Sequence, residues 1–302
     1  MTVDLTVGIP VYNAARTLRE TLDSLLAQTY SAFEILVSDN ASTDETPDIL
    51  ADYASRDSRL RFVRQRVNRG AIENFQYVLE AARTPLFSWF AADDLCAPTF
   101  LERTREAVLG RPQAVIAAAD VCAVDERGTP KRIVEQPEIV GLNAERRMHV
   151  HLATYGWYAT YGVGRRDKFL ACGAFPKAFG ADVIKTAEWM LAGDIVRVPE
   201  PLFIFRERSG GKDPATYVEQ FNPGTRTPAR PHSEMLRGVA GAIRRAQLGP
   251  ALERDVLATA VRTVAFENLP FVNEILREHE LVASEIDDLA RLRLVREIVD
   301  DN

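Results

Sequence analysis

An α/β fold, with a mostly parallel sheet flanked by helices and an α-helical C-terminal extension, is predicted by three observations. Over the first 125 residues, short apolar runs rich in β-formers alternate with helical stripes of roughly 10–15 residues. The run at 85–91 is apolar without alternation, as a strand buried on both faces requires. Beyond Pro223, Pro228 and Pro231 the periodicity is helical, with no strand-like alternation.

The elements follow in order. Leu5-Thr6-Val7-Gly8-Ile9 is a first strand closed by Pro10. Asn13 offers an N-cap to a helix that places Leu18, Leu22, Leu25 and Leu26 on one face. A second strand covers 33–37, and Ser42, Thr43 and Asp44 are cap candidates for a helix carrying Ile49, Leu50 and Tyr53. After a third strand at 60–63, Asn68-Arg69-Gly70 forms a turn, and Ile72, Phe75, Val78, Leu79 and Ala82 a helical stripe. The strand at 85–91, a helix from near Pro98 and a strand at 114–121 complete the alternation, whose right-handed crossovers make the sheet parallel. From 125 to 153 the pattern weakens into polar sequence. Aromatics then gather at Tyr155, Trp157, Tyr158 and Tyr161, followed by a helix near 182–192 and strands at 195–198 and 202–206. Ser209-Gly210-Gly211 and Pro214 mark a boundary, with helices beyond it.

At 302 residues the chain has room for one large domain with an appendage or two modest ones, on a prior of ~150 residues per domain. Hydrophobic residues at 46 % against 26 % charged exclude general disorder and leave a core that needs no staple. Lys and Arg number 37 against 43 Asp and Glu, a net charge of −6, which argues against nucleic acid as a partner bound through bulk charge. Arg146-Arg147, Arg165-Arg166 and Arg244-Arg245 read as solvated surface. Cys96, Cys122 and Cys172 are odd in number, widely spaced and without C-x-x-C, which fits a reducing compartment and no disulfide frame or zinc site. His149 and His151, two apart as on a strand, have no evident third ligand, so no metal is expected there. The chain runs from Met1 into a strand without a signal-peptide pattern, and no apolar run approaches the ~20 residues of a membrane span. A cytoplasmic protein is expected.

In parallel sheets of this kind ligands sit outside the carboxyl ends of the strands. That rule places Pro10 to Asn13, Asp39 to Asp44 and Ala91 to Asp94 on one rim. Asp93-Asp94, just after a buried strand, fit a divalent cation held by one carboxylate and substrate phosphates; they equally fit a cap on the next helix. Asp39 can accept from a base N–H or ribose hydroxyl, or close an Asx-turn. Pro10-Val11-Tyr12-Asn13 alone is a strand-to-helix turn.

Taken together, Val7-Gly8-Ile9-Pro10-Val11-Tyr12-Asn13, Leu25-Leu26-Ala27-Gln28-Thr29-Tyr30, Phe33-Glu34-Ile35-Leu36-Val37-Ser38-Asp39-Asn40-Ala41-Ser42-Thr43-Asp44, Asn68-Arg69-Gly70, Asn74 and Ala91-Ala92-Asp93-Asp94 resemble, in that order, a family 2 glycosyltransferase. The resemblance covers roughly residues 4 to 210. It implies a GT-A type, Rossmann-like fold and a transferase, usually inverting, that uses a nucleotide-diphospho-sugar, with a UDP-sugar as the favoured donor. It further implies a catalytic domain over 1–212, divided into a nucleotide-sugar half (1–125) and an acceptor half (126–212), with the helical extension at 213–302.

By the same resemblance Pro10, Tyr12, Asn13 and Asp39 hold the nucleotide, and Asn68 and Arg69 face the nucleotide sugar. Asp93, with Asp94 beside it, is the Mn²⁺ or Mg²⁺ ligand. Phe179-Gly180-Ala181-Asp182 resembles the stretch of the catalytic base, so Asp182 is the candidate; a carboxylate favoured by a helix N-terminus is its plain structural alternative. Arg206, in Arg206-Glu207-Arg208, is either a bidentate partner of the diphosphate or part of a surface ion pair. The sequence departs from the family at Ala91, where many members carry a first acid, at Ala181, where a Glu is common, and in lacking the Gln-x-x-Arg-Trp of processive synthases, which points to transfer of one sugar.

Trp157 is the acceptor-site candidate among aromatics whose commoner fate is core packing. The acceptor expected is a glycan or lipid-linked glycan of a bacterial surface. The C-terminal helices can pack on the catalytic domain, form a homo-oligomer or lie on a membrane, the last disfavoured by net acidity. A nucleotidyltransferase or an NAD oxidoreductase would need a glycine-rich loop that Ile9-Pro10-Val11-Tyr12-Asn13 lacks. A degenerate sugar-nucleotide binder remains the non-enzymatic alternative.

Overall fold

A computed structural model describes residues 2–154, 157–207, 214–221 and 227–301. Tyr155, Arg208, the Ser209-Gly210-Gly211 boundary and Pro223 lie outside them. Strand β1 (Leu5–Val11) is buried along nearly its whole length, because it lies inside the sheet between β2 (Phe33–Asp39) and the later β4 (Leu86–Trp89), parallel to both. Helix α1 (Leu18–Leu26) joins β1 to β2, and α2 (Thr46–Arg56) joins β2 to β3 (Leu60–Arg64). Helix α3 (Ala71–Ala81) leads to β4, and β5 (Leu95–Cys96), α4 (Phe100–Leu109), β6 (Ala114–Val124), β7 (Pro130–Val134) and α5 (Ala144–Thr154) follow. A 3-10 turn (Trp157–Tyr161), β8 (Val163–Arg165), α6 (Arg166–Ala171), α7 (Ala181–Ala192) and β9 (Asp194–Arg206) complete the sheet-bearing part. Helices α8 (Pro214–Phe221), α9 (Pro231–Arg245), α10 (Pro250–Phe266), α11 (Leu269–Glu278) and α12 (Asp288–Asp300) form the extension.

The described strands form one nine-stranded sheet ordered β3-β2-β1-β4-β8-β6-β9-β5, with β7 on β6. The β3-β2-β1-β4 half is parallel, as is β6 with β9, whereas β8, β5 and β7 pair antiparallel. One face packs on α1, α2 and α4 through Leu18, Leu22, Ile49, Leu50, Phe100 and Val108. The other face packs on α3, α6 and α7, where Trp89 stacks on Trp189 at 5.5 Å. A third apolar cluster joins Met148 and Leu152 of α5 and Val183, Ile184 and Ala187 of α7 to α9–α12, so the extension shares its core with α5 and α7.

Four readings of the sequence change in the structure. Asn13 does not cap α1, which starts five residues later after Thr17; it has φ 49° and braces a neighbouring loop instead. The strands expected at 195–198 and 202–206 are one strand, β9. Pro199-Glu200-Pro201 bulges out of it, so Ala119 pairs with Val198 but Val121 with Phe203. His149 and His151 stand on helix α5, where positions two apart face different ways. The segment from 125 to 153, where the sequence pattern weakens, holds β7 and most of α5.

Gly8 lies where β1 passes under α3. A Cβ there would meet the Phe87 ring at 2.5 Å and Val78 Cβ at 3.0 Å, both fully buried. Gly8→Ala therefore destabilises the chain by about 1–3 kcal/mol through overpacking, read as a lower urea midpoint at unchanged m-value; an unchanged midpoint would contradict this packing.

Candidate active site

The parallel register of β1 and β2 pairs Val11 with Asp39, so the two strands release their loops at the same level. The loops are then tied together. The Asn13 N–H donates to Ser42 Oγ at 2.9 Å, and Asn13 Oδ1 accepts from the Thr43 N–H at 2.8 Å. The Ala14 N–H donates to Thr46 Oγ1 at 2.9 Å, and the Ala15 N–H to Asp44 Oδ2 at 3.1 Å. The polar string that reads as a helix cap is spent on this bridge, with Asp44 also accepting from the Thr46 N–H at 3.0 Å. Tyr12, 47 % exposed, presents its ring at the rim, and Pro10 is half-buried beside it.

Asp39 ends β2 fully buried. Its Oδ1 accepts from the Ser42 N–H at 3.0 Å. Its Oδ2 has no hydrogen-bond partner and lies 3.4 Å from Nε of Arg64, whose Nη2 donates to the Ser42 carbonyl at 2.8 Å. Arg64 supplies charge but no aligned donor, which leaves this buried oxygen an acceptor position for a ligand.

Asn40, not singled out from the sequence, anchors the loop before α3. Its Oδ1 accepts from the Arg69 N–H at 3.0 Å, and its Nδ2 donates to Asn68 Oδ1 at 2.8 Å and to the Gly70 carbonyl at 3.1 Å. Below it Asn74 and Ser38 exchange bonds of 2.6 and 2.8 Å. Asn68 and Arg69 are thereby held on the Asp39 rim with exposed side chains. The one advance sign of Asn40's role was its place directly after a strand-ending Asp.

The third loop leaves β4 at Ala91. Asp93 is half-exposed, whereas Asp94 is buried: its Oδ1 accepts from the Arg206 N–H at 2.9 Å and its carbonyl from Thr21 Oγ1 at 2.9 Å. The Arg206 guanidinium pairs with Glu20 of α1 at 2.6 Å. Arg206 thus ties the end of β9 to α1 and to the acid pair. No group of three or more His, Cys, Asp or Glu placed to hold a metal stands among the described residues. One half-exposed carboxylate beside a partly engaged one fits a cation that draws its other oxygens from phosphates and water, the usual habit of Mg²⁺.

Trp157, the residue expected at the acceptor, is half-buried and stacks on Tyr158 at 3.8 Å and 24°, with Phe205 edge-on at 5.5 Å. Burial pushes the Tyr158 phenol above its ordinary value. Thr160 of the same turn meets Thr186 of α7 at 3.5 Å.

Asp182 is the second residue of α7, after Gly180 in the left-handed region at φ 68°. Burial raises its carboxyl above the usual carboxylate range, although its Oδ1 accepts from the Val183 N–H at 2.9 Å. His151 lies behind this turn, fully buried and pushed down to about 4, so it is neutral; its Nε2 donates to the Val183 carbonyl at 2.9 Å. Asp182 makes no hydrogen bond to the other candidates. Its connection to them runs through α7 and the aromatic turn.

Residues 6–169 match the family described as Glycosyl transferase family 2. The chain is 26 % identical over 172 residues to the uncharacterized glycosyltransferase EpsJ of Bacillus subtilis (strain 168), a match covering 55 % of this chain and 48 % of that protein. It is 26 % identical over 213 residues to the uncharacterized protein Mb1547 of Mycobacterium bovis, covering 69 % and 60 %. These matches thus take in about half of one relative's length and three fifths of the other's. Among solved structures, S. aureus TarS 1-349 in complex with UDP-GlcNAc superposes with a TM-score of 0.65 at 18 % identity, covering 98 % of this chain and 90 % of that one. That likeness is one of fold, the GT-A type expected. The family match runs from β1 into α6, through every rim residue and short of Asp182. The chain belongs to glycosyl transferase family 2.

Proposed function

We propose that the chain moves one sugar from a nucleotide-diphospho-sugar to a hydroxyl of a glycan or lipid-linked glycan acceptor, with inversion at the anomeric carbon. The observation that carries this reading is the buried Asp39 Oδ2, without a hydrogen-bond donor, on the rim that also holds exposed Tyr12, the Asn68-Arg69 loop and Asp93. In this reading a base or ribose N–H or O–H donates to Asp39 while Tyr12 and Pro10 line the base. Asn13 keeps the two loops at the spacing the nucleotide needs. Asn68 and Arg69 face the sugar and diphosphate. TarS binds UDP-GlcNAc and UDP, and on that ground a UDP-sugar is the proposed donor.

Asp93, with Asp94 beside it, would hold Mn²⁺ or Mg²⁺, which when bound supplies Lewis-acid stabilisation of the leaving diphosphate. Asp182 takes the proton of the acceptor hydroxyl as its oxygen attacks from the face opposite the diphosphate, and a carboxylate raised by burial is suited to that task. Trp157 offers the acceptor ring a stacking face. No helix among the described residues is long and apolar enough to cross a membrane, and the proposed place of action is the cytoplasmic side of the envelope.

Asp39→Asn tests the nucleotide assignment. The amide keeps the shape but loses the charge, so affinity for the preferred nucleoside diphosphate falls about 10- to 100-fold, as for a hydrogen bond to a charged group worth ~1.5–3 kcal/mol. Equilibrium titration with UDP, GDP and CDP reads this; unchanged affinity for all three would remove Asp39 from the site. Ala91, in place of an acid, favours a second reading, a binder that holds donor without transferring it. Tight donor binding with no nucleoside diphosphate released in the presence of any acceptor would select it.

A further inference from the structure

The start of α7, which carries Asp182, is built without a side-chain cap: Gly180 stands at the N-cap in a left-handed conformation and no side chain bonds the first turn from that position. Beside the His151 bond to the Val183 carbonyl, this turn is held by packing from the extension. A Cβ on Gly180 would fall 2.0 Å from Met235 Sδ, and one on Gly238 would fall 2.4 Å from Ile184 Cδ1, so a side chain of each helix region packs directly on a glycine backbone of the other. The His232 ring lies 5.0 Å from Phe179, edge to face, one residue before Gly180.

The first turn of α9 is in turn capped from far away in sequence. Both oxygens of Glu278, at the end of α11, are used: Oε1 accepts from the His232 N–H and the His232 Nδ1–H, each at 2.7 Å, and Oε2 accepts from the Ser233 N–H at 3.0 Å and the Ser233 hydroxyl at 2.9 Å. The group is mostly buried, with His232 and Glu278 side chains 19 % and 10 % exposed. Burial alone would raise the Glu278 carboxyl, but these bonds hold it below the usual range, so it stays charged. Within the described residues, Glu278 does the work that a local Ser, Thr or Asp does at most helix starts.

We propose that Glu278 and His232 are positioning residues for Asp182: Glu278 fixes the ring of His232 and the first turn of α9, and these, through Phe179 and the Met235–Gly180 contact, fix the turn of α7 that aims the Asp182 carboxyl. The proposal rests on the reading of Asp182 as base. The extension is then part of the catalytic apparatus and not an appendage. A base contributes fully only when held within about 1 Å of its productive place, and losing that placement costs on the order of 10²-fold.

The test uses the full chain with Glu278→Gln, His232→Ala, His232→Phe and Asp182→Asn. Two quantities are read: amide hydrogen exchange over 181–187, and the kcat and KM for release of nucleoside diphosphate from UDP-GlcNAc and GDP-mannose. Glu278→Gln and His232→Ala should speed exchange of the α7 turn by about tenfold and lower kcat by about 10²-fold, with donor KM within twofold. His232→Phe, which keeps a ring against Phe179, should recover most of the kcat lost in His232→Ala. Unchanged exchange at 181–187 in Glu278→Gln would overturn the coupling whichever donor is used. So would a donor KM that rises as much as kcat falls, which marks general loss of structure. If Asp182→Asn alone leaves turnover intact while Glu278→Gln still loosens the α7 turn, the base reading fails and the structural coupling stands.

Discussion

Asp182→Asn lowers turnover by about 10²- to 10⁴-fold, the range a positioned general base supplies, while nucleoside diphosphate affinity stays within twofold of wild type. The separation follows from where the residues sit. Asp182 is on α7, which meets the aromatic turn through Thr186 and Thr160, whereas the nucleotide candidates sit on loops tied to each other by the Asn13, Ser42, Asn40 and Asn68 bonds. The pH profile carries a second signature. Burial raises the Asp182 carboxyl, and a base works in its deprotonated form, so the rate rises with pH through a value above the ordinary carboxylate range. That acid limb disappears in the Asn variant. Turnover within a few-fold of wild type, with the limb retained, would move the base to another residue.

The parts of the fold that were legible in the sequence are those whose signal is local. β1, β2 and β4 are continuous apolar runs because both faces are covered, and α1 and α3 show their stripes because one face alone is buried. The strand-end rule then brings Pro10, Tyr12, Asp39 and Asp93 to one rim from chain order alone. What was not legible depends on partners distant in the chain. Asn13 has the composition of a cap, but its oxygen goes to Thr43, and no local pattern distinguishes the two uses. β8 is short and contains Gly164, whose hydrogen is required because a Cβ would meet the Phe169 ring at 2.1 Å; a glycine strand has no apolar alternation to read. Arg206 meets Glu20 across 186 positions, and Glu278 caps a helix that starts more than 40 positions earlier. The acid pair was visible as a pair, but the bond of Asp94 to the Arg206 N–H was not, since that partner stands on β9 far along the chain.

The second large effect belongs to Asp93. Asp94 is buried and has one oxygen on the Arg206 N–H, whereas Asp93 is half-exposed at the rim. On the proposed reading Asp93 would hold a divalent cation together with the diphosphate, so that nucleotide and metal would bind each other as well as the chain. Their affinities would then be coupled, with Asp93 as the proposed protein group in that coupling. With Ala91 where a further acid is common, the proposal gives Asp93 the larger share of that task. Calorimetric titration of wild type and Asp93→Ala with UDP, GDP and CDP, each with Mn²⁺ and with chelator, measures this directly. One nucleotide should bind wild type at least about tenfold more tightly with Mn²⁺ than with chelator, a difference of ~1.4 kcal/mol or more, and Asp93→Ala should erase that difference. Binding of no nucleotide in a metal-dependent way, or a metal effect that survives Asp93→Ala undiminished, would contradict the account.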